Sequence, residues 1–185
     1  MQVRVITANQ FAGQELGAVF ASLKPFAQKH KLRPLCTLDE VDWEVEDVDV
    51  VFACLPHGIT QASVKTLPKH LKVVDLSADF RLKDPAVYEE WYDTPHKALE
   101  LQEEAVYGLT ELFADKIAKA RLVANPGCYP TSVQLPLIPL ISAGLIETDV
   151  RACRLNFSHF SVASPSPRMR VRCPSCTVVL GHMFV

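Results

Sequence analysis

The sequence predicts an α/β fold, a parallel sheet flanked by helices, and three observations carry that expectation. Short apolar runs recur along the chain, each ended by turn-forming residues. Segments of helical spacing separate them at intervals of roughly 25–30 residues, the length of a strand–helix–strand unit. The runs are nearly continuous in Val and Leu rather than alternating with polar residues, as strands covered on both faces are.

The elements follow in order. Val3-Arg4-Val5-Ile6 is an apolar run ended by Thr7-Ala8-Asn9, which predicts a buried strand opening into a loop. A helix is expected over residues 14–23. Residues 39–49 carry seven acids and read as a solvated connection, after which residues 48–55 predict a buried strand stopped by Pro56-His57-Gly58. Ala62, Val64 and Leu67 take helical spacing within residues 60–69, and residues 71–76 return to strand. Residues 121–124 form a further strand, broken by the turn Asn125-Pro126-Gly127.

A length of 185 residues with 49% apolar and 22% charged content fits one globular domain, or one and a fragment of another. The net charge of −2 gives no reason to expect nucleic acid or an acidic membrane surface. Gln134, Pro136, Pro139 and Ser142 interrupt the most apolar stretch, so no membrane span is expected. The six cysteines have no framework spacing and no secretory signal opens the chain, which points to reduced thiols in an intracellular, soluble setting. Residues 1–150 hold 14 Lys/Arg and all 21 Asp/Glu, whereas residues 151–185 hold five arginines and no acid. That shift divides the chain into a domain at 1–149 and an atypical tail at 150–185. Cys173-Pro-Ser-Cys176 in the tail is a single Cys-x-x-Cys without a second pair, and no metal is expected.

Cys128 is the strongest chemical candidate. A strand, an Asn-Pro-Gly turn, the cysteine and then Tyr129-Pro130 place the thiol at a helix N-terminus, since proline suits a first helical turn. Free backbone N–H groups and the positive end of the helix dipole favour thiolate there. Cys36 and Cys54 lack such a turn and read as small buried hydrophobes.

The run Val123-Ala-Asn-Pro-Gly-Cys-Tyr-Pro-Thr-Ser-Val-Gln-Leu-Pro-Leu-Ile-Pro-Leu140 resembles the active-site signature of the N-acetyl-gamma-glutamyl-phosphate reductases, plant and algal forms above all. Cys54-Leu-Pro-His-Gly58 with Thr60-Gln61, Val74-Asp-Leu-Ser-Ala-Asp-Phe-Arg-Leu82, Trp91-Tyr92 with Pro95-His96, and Tyr107-Gly-Leu-Thr-Glu111 agree in the same order. The resemblance covers residues 2–149. It implies a Rossmann-like domain, NADP as cofactor, a small acyl phosphate as substrate, and homo-oligomers as in the family. The implied reaction is reduction of N-acetyl-glutamyl 5-phosphate to N-acetylglutamate 5-semialdehyde with phosphate release, in arginine biosynthesis. Cys128 would form a thioester on expelling phosphate, and hydride from NADPH would give a thiohemiacetal that collapses to the aldehyde.

The resemblance also assigns further residues. Arg81 would meet an anionic group of the substrate, with an ion pair to Asp79 or Asp84 as its structural alternative. Ser77 would donate a hydrogen bond near substrate or nicotinamide, or else cap the next turn. Leu55, Pro56, His57 and Gly58 would lie beside the cofactor. Tyr107 and Glu111 match a substrate-side loop, although a Tyr-Gly turn and a helix-start acid explain them as well. Trp91, Tyr92 and His96 read as packing.

Two departures qualify these expectations. No Gly-x-Gly-x-x-Gly is present, and the better match sets Val3 to Ala8 and Gly13 on the family's second strand and the loop after it. The first strand and its glycine loop are then expected to be missing, leaving Thr7 and Asn9 at the adenosine-ribose end. A diverged cofactor loop is the alternative. Beyond residue 149 the family's His-Arg-His block has no match, so the chain is expected to be inactive alone. A catalytically dead fragment or regulatory relative is therefore the alternative from another class. An aspartate-semialdehyde dehydrogenase-like enzyme fits the Tyr-Pro-Thr block less well, and a cysteine hydrolase less again. A plant or algal source implies the plastid stroma, and any other the cytoplasm.

Overall fold

The computed structural model describes residues 2–146, together with the backbone of residues 151–152 and 178–179. Spatial proximity divides the described residues into two compact units, one within Met1–Val51 and Pro68–Lys72, the other within Phe52–Leu67 and the residues from Val73.

In the first unit, helices α1 (Leu16–Val19) and α2 (Lys24–His30) accompany short 3₁₀ turns at Asn9–Phe11, Ala21–Leu23 and Leu38–Glu40. Leu16, Ala27 and Leu35 form a small core, against which Ile6, Ala8, Val19 and Leu32 pack. The expected strand at Val3–Ile6 does not form. Among the described residues its one ladder contact is a parallel bridge between Thr7 and Cys36, with the Ala8 N–H donating to the Cys36 carbonyl at 2.9 Å. An apolar run marks burial, whereas a strand also needs a partner over several residues, and here the pairing ends after one. The helix expected over 14–23 is likewise reduced to one turn of α1 and a 3₁₀ turn.

A four-stranded sheet in the order β1-β2-β4-β3 contains β1 (Val50–Ala53), β2 (Lys72–Asp75), β3 (Val106–Tyr107) and β4 (Leu122–Ala124). The pairs β2–β4 and β3–β4 are parallel. Hydrogen bonds from Lys72 N to Asp49 O and from Leu76 N to Ala53 O advance in step along both chains, so β1–β2 is parallel too. Helices make the crossovers: α3 (Thr60–Thr66) between β1 and β2, α4 (Pro85–Tyr92) and α5 (Leu99–Glu104) before β3, and α6 (Thr110–Lys119) before β4. Helix α7 (Cys128–Ser142) follows β4. The predicted helix-flanked parallel sheet is therefore present.

Burial follows position in the sheet. Val73 and Asp75 of β2 and Leu122 and Ala124 of β4 are fully buried in the two inner strands, whereas Phe52 on the edge strand β1 is half exposed. The two-residue strand β3 was not expected, because Tyr107-Gly108 reads locally as a turn. Gly108 lets it form: a Cβ there would come within 3.1 Å of the Ala124 carbonyl, to which the Gly108 N–H donates. Residues 151–152 and 178–179 pair as a short antiparallel ladder. Cys173 and Cys176 lie outside the described residues.

Candidate active site

Parallel sheets expose the carboxyl ends of their strands to ligands. Most of the candidate residues collect there, in the segments that leave β1, β2, β3 and β4.

At the end of β4, Gly127 caps α7 and Cys128 is its first residue. The thiol is exposed and free. Pro130 lacks an N–H, and Thr131 turns its own N–H and Oγ onto the Gly127 carbonyl at 3.0 and 2.9 Å. Among the described residues neither the Cys128 nor the Tyr129 N–H has a hydrogen-bond partner. Two backbone donors at the positive end of a helix thus stand beside an exposed sulfur.

Arg81 comes to this turn from the segment after β2. Its Nε donates to the Asn125 carbonyl at 2.8 Å and its Nη2 to the Leu76 carbonyl at 3.0 Å. The guanidinium therefore ties the end of β2 to the turn before Cys128. Its Nη1 lies 3.2 Å from the position a Cβ on Gly127 would occupy, which is why glycine suits that position. Neither Asp79 nor Asp84 pairs with Arg81, which corrects the structural alternative drawn from sequence. Asp84 instead caps α4 by accepting from the Ala86 N–H at 2.8 Å.

Asp79 is the hub that the sequence did not reveal. Its fully buried carboxylate accepts from the Gly58 N–H at 2.6 Å, the Gln61 N–H at 3.1 Å and the Tyr88 hydroxyl at 2.7 Å. Its carbonyl lies 2.9 Å from His96 Nε2, and its own N–H donates to Ser77 Oγ at 3.1 Å. Burial, reinforced by the bond to Asp79, pushes the Tyr88 phenol well above its usual range. The partners of Asp79 lie 21, 18 and nine residues away, so no local pattern marks it.

Ser77 is committed within the protein. Its N–H and hydroxyl donate to Asp75 at 2.8 and 2.9 Å, and Oγ accepts from Asp79. That arrangement is the turn-capping alternative. Asp75 is itself fully buried, and desolvation raises its carboxyl above the usual value against the lowering effect of the Ser77 bonds.

The loop after β1 holds Leu55, Pro56, His57 and Gly58. The first three are exposed, and the His57 ring meets Tyr92 at a centroid distance of 5.5 Å. Gly58 takes a φ of 80°, which suits glycine. Its N–H and that of Gln61 are already occupied by Asp79. On the β3 side, the Tyr107 hydroxyl donates to the Oε1 of fully buried Gln134 at 3.1 Å, and burial raises its pKa. Glu111 is exposed in the first turn of α6. His96 packs with Phe80 and Tyr88 as expected, whereas Trp91 is 43% exposed.

Thr7 and Asn9 lie in the first unit, both exposed, Asn9 opening a 3₁₀ turn. An open depression of about 410 Å³ in that unit is lined by Glu15, Gly17, Ala18, Lys24, Ala27, Gln28, Lys31 and Leu32. None of the candidate residues lines it. Among the described residues no group of His, Cys, Asp and Glu could hold a metal, and no helix is long and apolar enough to cross a membrane.

The chain is similar to known proteins over most of its length. Over 146 residues the chain is 56% identical to a protein of Arabidopsis thaliana named as a probable chloroplastic N-acetyl-gamma-glutamyl-phosphate reductase, covering 79% of this chain and 35% of the relative. It is 51% identical over 152 residues to the N-acetyl-gamma-glutamyl-phosphate reductase of Afipia carboxidovorans, covering 80% of this chain and 42% of that protein. The reductase of the same name from Rhodospirillum rubrum is 54% identical over 149 residues, 78% of this chain and 41% of that protein. The chain thus spans less than half the length of these relatives. Residues 1–120 match the model of the family described as "Semialdehyde dehydrogenase, NAD binding domain". With that match covering β1, β2 and β3 and the loops that follow β1 and β2, the chain belongs to the semialdehyde dehydrogenase NAD-binding-domain family.

Proposed function

We propose that this chain serves the NADP-dependent reduction of N-acetyl-glutamyl 5-phosphate to N-acetylglutamate 5-semialdehyde, with release of phosphate. The observation that carries the proposal is the exposed Cys128 thiol at the open N-terminus of α7, with Arg81 beside the preceding turn. An acyl phosphate offers a carbonyl carbon for the sulfur and an anionic leaving group for the cation. Cys128 Sγ attacks that carbon and forms a thioester as the phosphate leaves. The N–H groups of Cys128 and Tyr129, unpartnered among the described residues, and the Nη1 of Arg81 receive the developing negative charge. Arg81 can do this while its Nε and Nη2 stay on backbone carbonyls, because a guanidinium is a fork of several donors. Tyr107 and Glu111 border the substrate from the β3 side.

The nicotinamide dinucleotide, when bound, supplies hydride. Exposed Leu55 and Pro56 with the His57–Tyr92 ring pair form an apolar ledge suited to a flat ring. The same loop does not suit the pyrophosphate, since the N–H groups of Gly58 and Gln61 are taken by a carboxylate. Thr7 and Asn9 are assigned to the adenosine ribose. A homo-oligomer is proposed by extension from the family. The plastid stroma is the proposed compartment, after the chloroplastic relatives of Arabidopsis thaliana and rice.

A chimera tests the proposal. Residues 2–146 replace the aligned segment of the Arabidopsis relative, and NADP-dependent, phosphate-requiring oxidation of N-acetylglutamate semialdehyde is measured. Turnover is expected, falling by roughly a thousandfold or more in Cys128→Ser. A folded chimera without turnover, or one indifferent to Cys128→Ser, overturns the assignment.

A further inference from the structure

We infer that Asp79 is a positioning residue for Cys128, acting through Arg81 across a bonded path that runs from the loop after β1 to the turn after β4. The inference rests on Cys128 being the reactive thiol, as proposed above.

Asp79 touches neither Cys128 nor Arg81 by hydrogen bond. What it holds is the segment between β2 and α4. Its carboxylate is anchored by three donors from three places: the Gly58 N–H in the loop after β1, the Gln61 N–H in the first turn of α3, and the Tyr88 hydroxyl in α4. All three partners are donors, so an ionised carboxylate suits the place and an amide, whose nitrogen is also a donor, does not. Gln61 is fixed in turn, its Nε2 donating to Tyr88 and its Oε1 accepting from the Lys97 N–H. The main chain of Asp79 is held as well, by Ser77 Oγ on one side and His96 on the other.

With both its carboxylate and its peptide groups fixed, the start of the Arg81 side chain is set two residues later. The Arg81 N–H donates to the Ala78 carbonyl at 3.3 Å, continuing the turn that Ser77 and Asp79 define. From there the guanidinium reaches the Leu76 and Asn125 carbonyls and brings Nη1 to Gly127, the residue before the thiol. A long, flexible side chain loses much rotamer freedom in such a pose. The pose persists because its root does not move. Asp79 thereby links the loop proposed to carry the nicotinamide ring to the cation proposed to meet the acyl phosphate.

The reactivity of the thiol reports this link without any cofactor or turnover. In the full 185-residue chain, iodoacetamide labelling of Cys128 is followed by mass spectrometry from mildly acid to mildly alkaline pH, beside the thermal midpoint of each variant. Arg81→Gln removes a cation from the neighbourhood of the thiolate, so the pH–rate profile should move toward higher pH and the neutral rate fall by about three- to tenfold. Asp79→Asn should move the profile in the same direction by about threefold in neutral rate. The double variant should match Arg81→Gln alone, because a residue that acts through another has nothing to add once the other is gone. Tyr88→Phe, which removes one of the three anchors, should give a smaller shift that also vanishes in the Arg81→Gln background, and it decides the matter if Asp79→Asn does not fold.

A lowered thermal midpoint with an unmoved Cys128 profile, in Asp79→Asn or in a folded Tyr88→Phe, would make Asp79 merely structural and overturns the inference. Shifts that add to that of Arg81→Gln overturn it as well. If Arg81→Gln itself leaves the profile in place, both the inference and the assigned role of Arg81 fall.

Discussion

Two strand-to-helix junctions of this sheet look alike in sequence and are put to opposite uses. After β1 the chain runs through Pro56-His57-Gly58 into α3, and after β4 through Asn125-Pro126-Gly127 into α7. Each has a proline and a glycine in its turn, and each opens a helix whose first N–H groups need acceptors. At the first junction the acceptor is built in, because the buried Asp79 carboxylate occupies the N–H groups of Gly58 and Gln61. At the second nothing of the kind is present: the Cys128 and Tyr129 N–H groups are unpartnered among the described residues, and the nearby side chain is the cationic Arg81. A junction closed by its own anion serves stability, and one left open beside a cation is suited to an anion from outside. The difference lies in one carboxylate that the local sequence of neither turn contains.

Removing that carboxylate should therefore produce the largest effect. In Asp79→Ala three buried or half-buried donors lose their acceptor together, and denaturant unfolding should show a loss of about 3–4 kcal/mol. Arg81→Ala at the open junction should cost less, about 1–2 kcal/mol, because the acceptors belong to the exposed residues Leu76 and Asn125 and can turn to water. Equal losses in the two variants would erase the distinction between the junctions.

How far the sequence could be read follows the same division between local and distant. The place of Cys128 was legible because strand, Asn-Pro-Gly turn and helix start are contiguous, and each step has its own residue chemistry. The inner strands were legible from their apolar runs. Val3–Ile6 has an equally apolar run, yet its pairing stops at the single Thr7–Cys36 bridge, and nothing within the run announces that. The strand at Val106–Tyr107 was hidden because the close approach that Gly108 permits reads locally as a turn. Ser77 and Arg81 were both picked out, but their partners were not. Ser77 Oγ is held between Asp75 and Asp79, and Arg81 meets carbonyls five and 44 residues away rather than a neighbouring acid.

Thiol labelling sharpens the comparison on a smaller energy scale, since each junction has a cysteine. Cys54 follows β1 and Cys128 opens α7, both exposed, while Cys36 is half-buried. Exposure alone would make the first two equivalent. Cys54 has only a weak contact of its Sγ with the Phe52 carbonyl at 3.8 Å, whereas Cys128 has the open helix terminus. Timed alkylation of the native chain at neutral pH should label Cys128 about tenfold faster than Cys54, a difference of about 1.4 kcal/mol in barrier. Faster labelling of Cys54 or Cys36 would remove Cys128 as the nucleophile.

The smallest expected effect concerns Asp75, the last residue of β2, which lies between β1 and β4 in the sheet. Its carboxyl is fully buried, and desolvation raises its pKa above the usual 3.8 while the two hydrogen bonds from Ser77 pull the other way. A carboxyl whose folded value exceeds its unfolded one binds its proton more tightly in the folded chain. Its contribution to stability is therefore complete below the unfolded value and is lost as pH rises through the folded value. Asp75→Asn keeps an oxygen to accept from Ser77 and removes the titration. Relative to the parent chain, the variant should gain stability as pH is raised from below 3.8, and the gain should level off once the parent's Asp75 is ionised. Urea unfolding of both chains at a series of pH values gives that difference directly. A difference that shrinks with rising pH would mean that the Ser77 bonds outweigh burial at the end of β2.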